Sequence, residues 1–361
     1  MQASSMRNDI EEKILHVERL TDKEALWCLS AADIWDVGRW AHSIRLRKHP
    51  PNRVTYQVDR NINYTNVCNA GCKFCAFARA PRQKGGWTLD IDEVLEKVRM
   101  TVDRGGTGIL LQGGHNPRLP LDYYTEMLSA IKSNFPEIHI HAFSPSEFVE
   151  FGNFFDMSVE ELIRLFIDHG LDSIPGGGAE ILAEPTRSRI ARGKANGEEW
   201  LNVMRIAHRL GLRTTATMVI GFGESVEERL EHLTLLRNLQ DETGGFTAFI
   251  PWTFQPGNTV LEGKVKPAGA IEYLRIQGCA RIILDNIEHH QASWLTQSLK
   301  LGSLALFFGA DDFSSVMMEE NVVSAAGLRF CADEDDLRKV ISAAGFKPVK
   351  RLTLYQNICH A

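Results

Sequence analysis

No run of about 18 apolar residues occurs anywhere in the chain, so the sequence offers no helical membrane span. Residues 1–13 lack the apolar centre of a secretory signal, and a cytoplasmic location is expected. Positive charge is not in excess: 40 Lys and Arg face 46 Asp and Glu, a net charge of −6. That balance removes the overall field of a nucleic-acid binder or of a protein held on an anionic membrane, so neither partner is expected. Internal repeats and low-complexity tracts are missing as well. Cysteine is scarce and odd in number, seven in all, and three of these crowd into residues 68–75. This is a poor disulfide framework and a good metal framework. Cys28, Cys279, Cys331 and Cys359 are scattered and are assigned to packing or surface.

What the chain does contain is an ordinary globular balance, 44% apolar and 24% charged, over 361 residues. The start reads as helical. Thr21 and Glu24 form a capping box, and an apolar-periodic stretch from Ala31 to about Ile44 stops before Pro50 and Pro51. From there short β-rich runs alternate with amphipathic helices. The expected strands are 54–67, 108–112, 139–143, 173–175, 215–220, 246–250, 287–293 and 304–308. Asp90 and Ser158 start helices; Gly170 and Gly211 end them. Eight strands separated by helices predict an α/β fold with a parallel sheet, either a closed (β/α)8 TIM-type barrel, which is preferred, or an open doubly wound sheet. The expected division is an N-terminal helical segment (1–52), the barrel (53–330) and a short C-terminal α/β appendage (331–361). The appendage has a helix over 334–344, Gly345 as its stop and a strand-like stretch at 349–355.

The most specific motif is Cys68-x-x-x-Cys72-x-x-Cys75. Three thiolates at this spacing can take three corners of an iron–sulfur cubane and leave one iron open. Zinc through Cys72 and Cys75 lacks a second ligand pair, and buried unliganded cysteines do not cluster this way by chance. The loop follows a strand, which places it at the C-terminal mouth of a barrel.

With Phe74 before the last cysteine and Phe77 two residues after it, this motif resembles the signature of the radical S-adenosylmethionine (SAM) superfamily. The resemblance implies an oxidoreductase with a [4Fe–4S] cluster on Cys68, Cys72 and Cys75. It also implies SAM on the open iron, hydrogen-atom abstraction as the first step, and release of methionine and 5′-deoxyadenosine. Phe74 and Phe77 would lie near the adenine. Gly113 and Gly114, ending the second strand, match the position that takes the methionine amino group; the alternative is a tight turn. Glycines 176–178 suit an anion nest or a turn, and Glu180 can accept from ribose hydroxyls. Residues 217–224 resemble the superfamily's adenine element at Gly221 and Glu224, with Thr217 and Val219 departing from it. Glu224 also suits a helix start.

Alternation puts Asp59, Asn61, Asn63 and Thr65 on one strand face, and His289, Gln291 and Ser293 on another. Such polar rows need partners, which either a polar substrate or a satisfied barrel interior supplies. Asn61, Asn63, Gln291 and Ser293 are the candidate substrate contacts. Longer stretches, 59–66, 141–147, 171–180, 249–259, 291–294, 309–313 and 319–327, resemble the cyclic dehypoxanthinyl futalosine synthases of menaquinone biosynthesis. Aminofutalosine synthases and the enzymes making the deazaflavin chromophore share the layout. What this resemblance implies is a small nucleoside-derived substrate, ribose C4′ hydrogen abstraction, and closure of a C–C bond onto a benzoate ring. A reductant such as flavodoxin or ferredoxin is implied too. A base must finish the reaction: His289, Glu319 and Asp312 are the candidates carried forward, with Asp311 and Glu320 beside them. Arg60 or Arg192 would meet the substrate carboxylate.

Overall fold

Six helix starts among the described residues are written as Ser, Thr, Asp or Asn followed three residues later by Glu, so each of these first turns is satisfied by a side chain on either side. Reciprocal capping boxes form at Thr21/Glu24, Asp90/Glu93, Ser144/Glu147, Ser158/Glu161, Asn196/Glu199 and Ser225/Glu228. The computed structural model describes residues 2–328 and 331–356, with side chains from Ser4 onward; Phe330, the expected barrel boundary, and Cys359 lie outside them. Three helices, Gln2–His16, Asp22–Ser30 and Ile34–Lys48, precede the first strand.

Among the described residues ten strands follow: β1 Arg53–Gln57, β2 Asp59–Asn63, β3 Gly108–Gln112, β4 His139–Ala142, β5 Ser173–Ile174, β6 Arg213–Ile220, β7 Phe246–Thr253, β8 His289–His290, β9 Asp312–Ser315 and β10 Lys347–Lys350. β2 to β8 form one curled parallel sheet in sequence order, with helices outside it. A parallel bridge between Gln291 and Asp312 carries β8 onto β9, and β9 pairs in parallel with β1, which runs on into β2. The ring is a (β/α)8-type barrel, as expected, with two corrections. The expected strand 54–67 breaks at Val58 and serves two sheets. The expected strand 304–308 is instead the end of a helix, Leu299–Ala305, and a 3-10 turn, Leu306–Phe308. Ala305, Leu306 and Phe308 are buried while Leu304 and Phe307 are exposed, which is helical and not alternating burial. β9 takes the missing place.

Inside the barrel, alternation makes the cavity. On β6, Ala216, Met218 and Ile220 are fully buried under the helices, and Thr215, Thr217 and Val219 line the interior. Beyond the helix Glu334–Ala343, β10 pairs in parallel with β1. The strand expected over 349–355 stops at Lys350, and the chain turns under the barrel. Gln57 donates to Thr353 Oγ1 (2.7 Å), Gln291 donates to the Tyr355 hydroxyl (2.7 Å), and the Tyr355 ring stacks on His289 at 3.6 Å. Residues 351–355 close the floor of the barrel.

Candidate active site

A cavity of about 350 Å³ runs from the C-terminal mouth, where Phe74, Cys75 and glycines 176–178 line it, down to Gln57, Arg351 and Thr353. The cysteine loop is anchored on its own return segment, where Cys68 N–H donates to Arg79 O (2.9 Å), and on the helix Glu184–Ile190, where Lys73 N–H donates to Ile190 O (2.9 Å). All three thiols are free. Burial pushes the Cys68 thiol up, against N–H donors from Ala70 and His115, and pushes Cys72 up to about 12 against the charge of Lys194. Buried thiols of this kind become thiolates by binding metal. Cys28 and Cys279 are buried elsewhere and Cys331 is exposed, so no fourth thiol joins the loop among the described residues. Three soft donors without a fourth fit a cluster with one open iron.

Next to them lies a half-buried cation. Lys194 Nζ is 2.9 Å from Glu180 Oε1 and 5.4 Å from the centre of the Phe74 ring. Burial opposes its charge, but Glu180 and the Cys72 sulfur hold its pKa above the ordinary lysine value. Glu180 has φ +45°, a left-handed conformation that costs a non-glycine residue energy and places its carboxylate on the cavity wall. The Gly113–Gly114 turn has a packing reason of its own. A Cβ on Gly113 would lie 2.4 Å from the Tyr64 ring, and one on Gly114 2.3 Å from Val67 O and 2.9 Å from Cys68 Cβ. The glycines let this turn press against the cysteine loop, and Glu147 secures it by accepting from Gly113 N–H (3.1 Å) and the Tyr64 hydroxyl (2.6 Å). Gly221, at φ +104°, gives its N–H to Glu224 and lies off the cavity; Val219 and Phe222 line the wall there. Phe77 packs on Trp87 at 5.9 Å, away from the cavity that Phe74 enters.

The Radical SAM superfamily model matches residues 62–236, and the model described as CofH/MqnC C-terminal region matches residues 243–360. The chain is 46% identical to cyclic dehypoxanthine futalosine synthase of Halalkalibacterium halodurans, over 97% of this chain and 94% of that protein. The chain belongs to the radical SAM superfamily. It is 38% identical to aminodeoxyfutalosine synthase of Thermus thermophilus, over 97% of this chain and 95% of that one. Among solved structures it resembles that of methylornithine synthase (PylB), with TM-score 0.74 and 18% identity over 94% of this chain and 97% of that one. That likeness concerns the fold.

In this radical SAM barrel the expected substrate residues separate. Asn61 and Gln291 line the cavity, and Asn61 Oδ1 is buried without a hydrogen-bond partner. Asn63 is tied above to Asn321 (3.2 Å), and Ser293, fully buried, bonds the Thr296 hydroxyl (3.2 Å). β8 is only two residues long, so its alternation does not extend to Ser293.

The expected bases are placed elsewhere too. Asp312 is fully buried and held by Arg351, with Nη2 3.0 Å from Oδ1, and by the Thr55 hydroxyl at 2.6 Å. Glu319 pairs with Arg60 (3.0 Å) and Lys97 (2.8 Å); burial opposes its charge, but these partners hold it below the usual carboxylate range. His289 sits at the floor, off the cavity, and donates through Nδ1 to Asp311 (2.6 Å). With His49 and Asp311 it makes the one group of three such donors within 4.8 Å among the described residues. His49 Nε2 faces Glu288 O (3.0 Å), and Arg281 already occupies Asp311, so the group is a hydrogen-bonded base plate. Arg192 is exposed on its loop.

The carboxylates that do line the cavity are Asp59, Glu180 and Glu320. Asp59 was legible as part of a polar row, but not as the row's most perturbed group: burial pushes it up to about 6. Lys194 had no sequence signal beyond its charge.

Proposed function

We propose that the protein is a radical SAM oxidoreductase that converts dehypoxanthine futalosine to its cyclic form in menaquinone biosynthesis. It removes the C4′ hydrogen of the ribose and joins that carbon to the attached benzoate ring. The 46% identity over nearly all of both chains carries this reading. Cys68, Cys72 and Cys75 would hold the cluster; Lys194, Glu180 and Phe74 would meet SAM. When bound, these groups supply a one-electron cleavage yielding a carbon radical able to take a hydrogen atom.

The chain's own residues do the placing. Asn61 Oδ1, buried and unpaired, is an acceptor awaiting a substrate hydroxyl. Thr215, Thr217 and Gln291 offer further polar contacts along the same shaft. His141 adds an uncharged ring, its pKa lowered by burial to about 3. The floor built by residues 351–355 keeps water out from below. A cytoplasmic setting with flavodoxin or ferredoxin as reductant suits free thiols. Anaerobic reconstitution with SAM, reductant and dehypoxanthine futalosine tests the reading. Cyclic product with free 5′-deoxyadenosine is expected, in equal amounts. An adenosyl group found in the product would replace this reading by that of an aminodeoxyfutalosine synthase.

A further inference from the structure

We infer that Asp59 is the catalytic base that takes the ring proton in the last step, positioned by Ser315. The inference rests on the cyclase reading above. Asp59 stands at the start of β2 and faces the cavity in one inward row with Gln57 and Asn61. The Ser315 hydroxyl, brought in by β9, donates to Asp59 Oδ1. Among the described residues no donor reaches Oδ2, which leaves that oxygen open to the cavity.

The competing groups are spent. Asp312 has both oxygens on Arg351, Thr55 and Ser314 N–H. Glu320 gives its oxygens to the N–H groups of Val322, Val323 and Ser324. Glu180 is held by Lys194, and His141 is a weak base. The charged groups that act on Asp59 are Arg351 from the C-terminal segment and Asp312 from β9; His141 and Glu320 line the same cavity. Arg351 makes its carboxylate bonds to Asp312 and none to Asp59; its charge lowers the Asp59 pKa, but burial outweighs it. Burial raises Asp59 to about 6, a value suited to proton removal near neutral pH.

The step balances as follows. After ring closure one ring carbon carries both the new C–C bond and its original hydrogen. That C–H bond breaks, the proton goes to Asp59 Oδ2, the bonding pair returns to the ring, and one electron passes to an oxidised iron–sulfur centre.

The reconstituted holoenzyme tests this with C4′-deuterated substrate, wild type beside Asp59→Asn and Ser315→Ala. Asp59→Asn is expected to move deuterium into 5′-deoxyadenosine in its first turnover, yet to form product at least about 100-fold more slowly. A persistent organic radical should appear in its freeze-quenched EPR spectrum. Ser315→Ala keeps the carboxylate and removes a donor to its charged form, so the acid limb of its rate profile should move to higher pH. Wild-type product formation by Asp59→Asn, or an unmoved acid limb in Ser315→Ala, overturns the assignment. If Asp59→Asn does not fold, the serine variant decides. Wild type that neither transfers deuterium nor makes product overturns the cyclase reading, and the base with it.

Discussion

Lys194 Nζ lies 2.9 Å from Glu180 Oε1, so the cavity wall beside the cysteine loop is built on an ion pair between a buried carboxylate and a half-buried ammonium. Removing one partner of such a pair leaves the other charged and unpaired, which costs about 3–5 kcal/mol, whereas removing both is far cheaper. Lys194→Met should therefore lower stability by about 3 kcal/mol in denaturant titration. The double change Lys194→Met with Glu180→Gln should recover most of that loss. SAM affinity by calorimetry should stay weakened by at least about tenfold in both, since the double variant restores packing and not the contacts. Recovered affinity in the double variant would mean that the pair is structural alone.

The cysteines separate by the same kind of comparison. Cys68→Ala, Cys72→Ala and Cys75→Ala should each lose iron and sulfide after reconstitution, together with SAM cleavage. Cys279→Ala should retain both, because that thiol is fully buried and burial holds it well above its usual pKa, as a neutral packing group. Full iron content in the triple variant would refute the cluster assignment.

Gly114 yields a prediction about packing. A Cβ there meets backbone, Val67 O at 2.3 Å, and backbone cannot step aside as a flexible side chain can. Gly114→Ala should cost about 1–3 kcal/mol and reduce iron loading, because the cysteine loop is what has to move. Gly269→Ala, where nothing lies within 4 Å of the added atom, is the control and should stay within about 1 kcal/mol. Equal iron loading in the two variants would show that the loop tolerates the shift.

The features readable in advance were those encoded within a few residues. The cysteine spacing, the glycine turns and the Ser/Thr/Asp–Glu capping pairs are local, and each appears where the sequence put it. The break at Val58 was not readable, because it depends on β9 and β10 flanking β1, and both lie more than 250 residues further on. The apolar run 304–308 was too short to distinguish strand from helix. Gly309 at φ +92° ends the turn there and leaves β9 to close the ring. The surroundings of the candidate bases were hidden for a related reason. Asp312, Glu319 and His289 are chemically suitable, but Arg351, Lys97 and the Tyr355 stack occupy or cover them. The Asp59 carboxyl stays available because its one donor among the described residues, the Ser315 hydroxyl, comes from 256 residues away and takes only one oxygen.

That availability has a cost in stability, and its pH dependence can be measured. The Asp59 carboxyl has an ordinary value of 3.8 and is raised to about 6 in the folded chain, chiefly by burial. The folded state therefore binds this proton more tightly than the unfolded state, and stability contributed by the group falls as pH rises from about 4 to about 6. Below that window both states are protonated and the group is neutral in effect; above it the full penalty is present. Asp59→Asn removes the titration but keeps the shape. It should thus be more stable than wild type at about pH 7.5, by on the order of 2 kcal/mol, and should lose that advantage at about pH 4. Every other titrating group is common to the two proteins, so the difference between their denaturation curves isolates this residue. A variant more stable and less active at neutral pH is the pattern of a strained catalytic group. A variant less stable at both pH values would mean that the carboxylate is held in its charged form by Ser315 and Arg351, and the acid limb near pH 6 would then have to come from another residue.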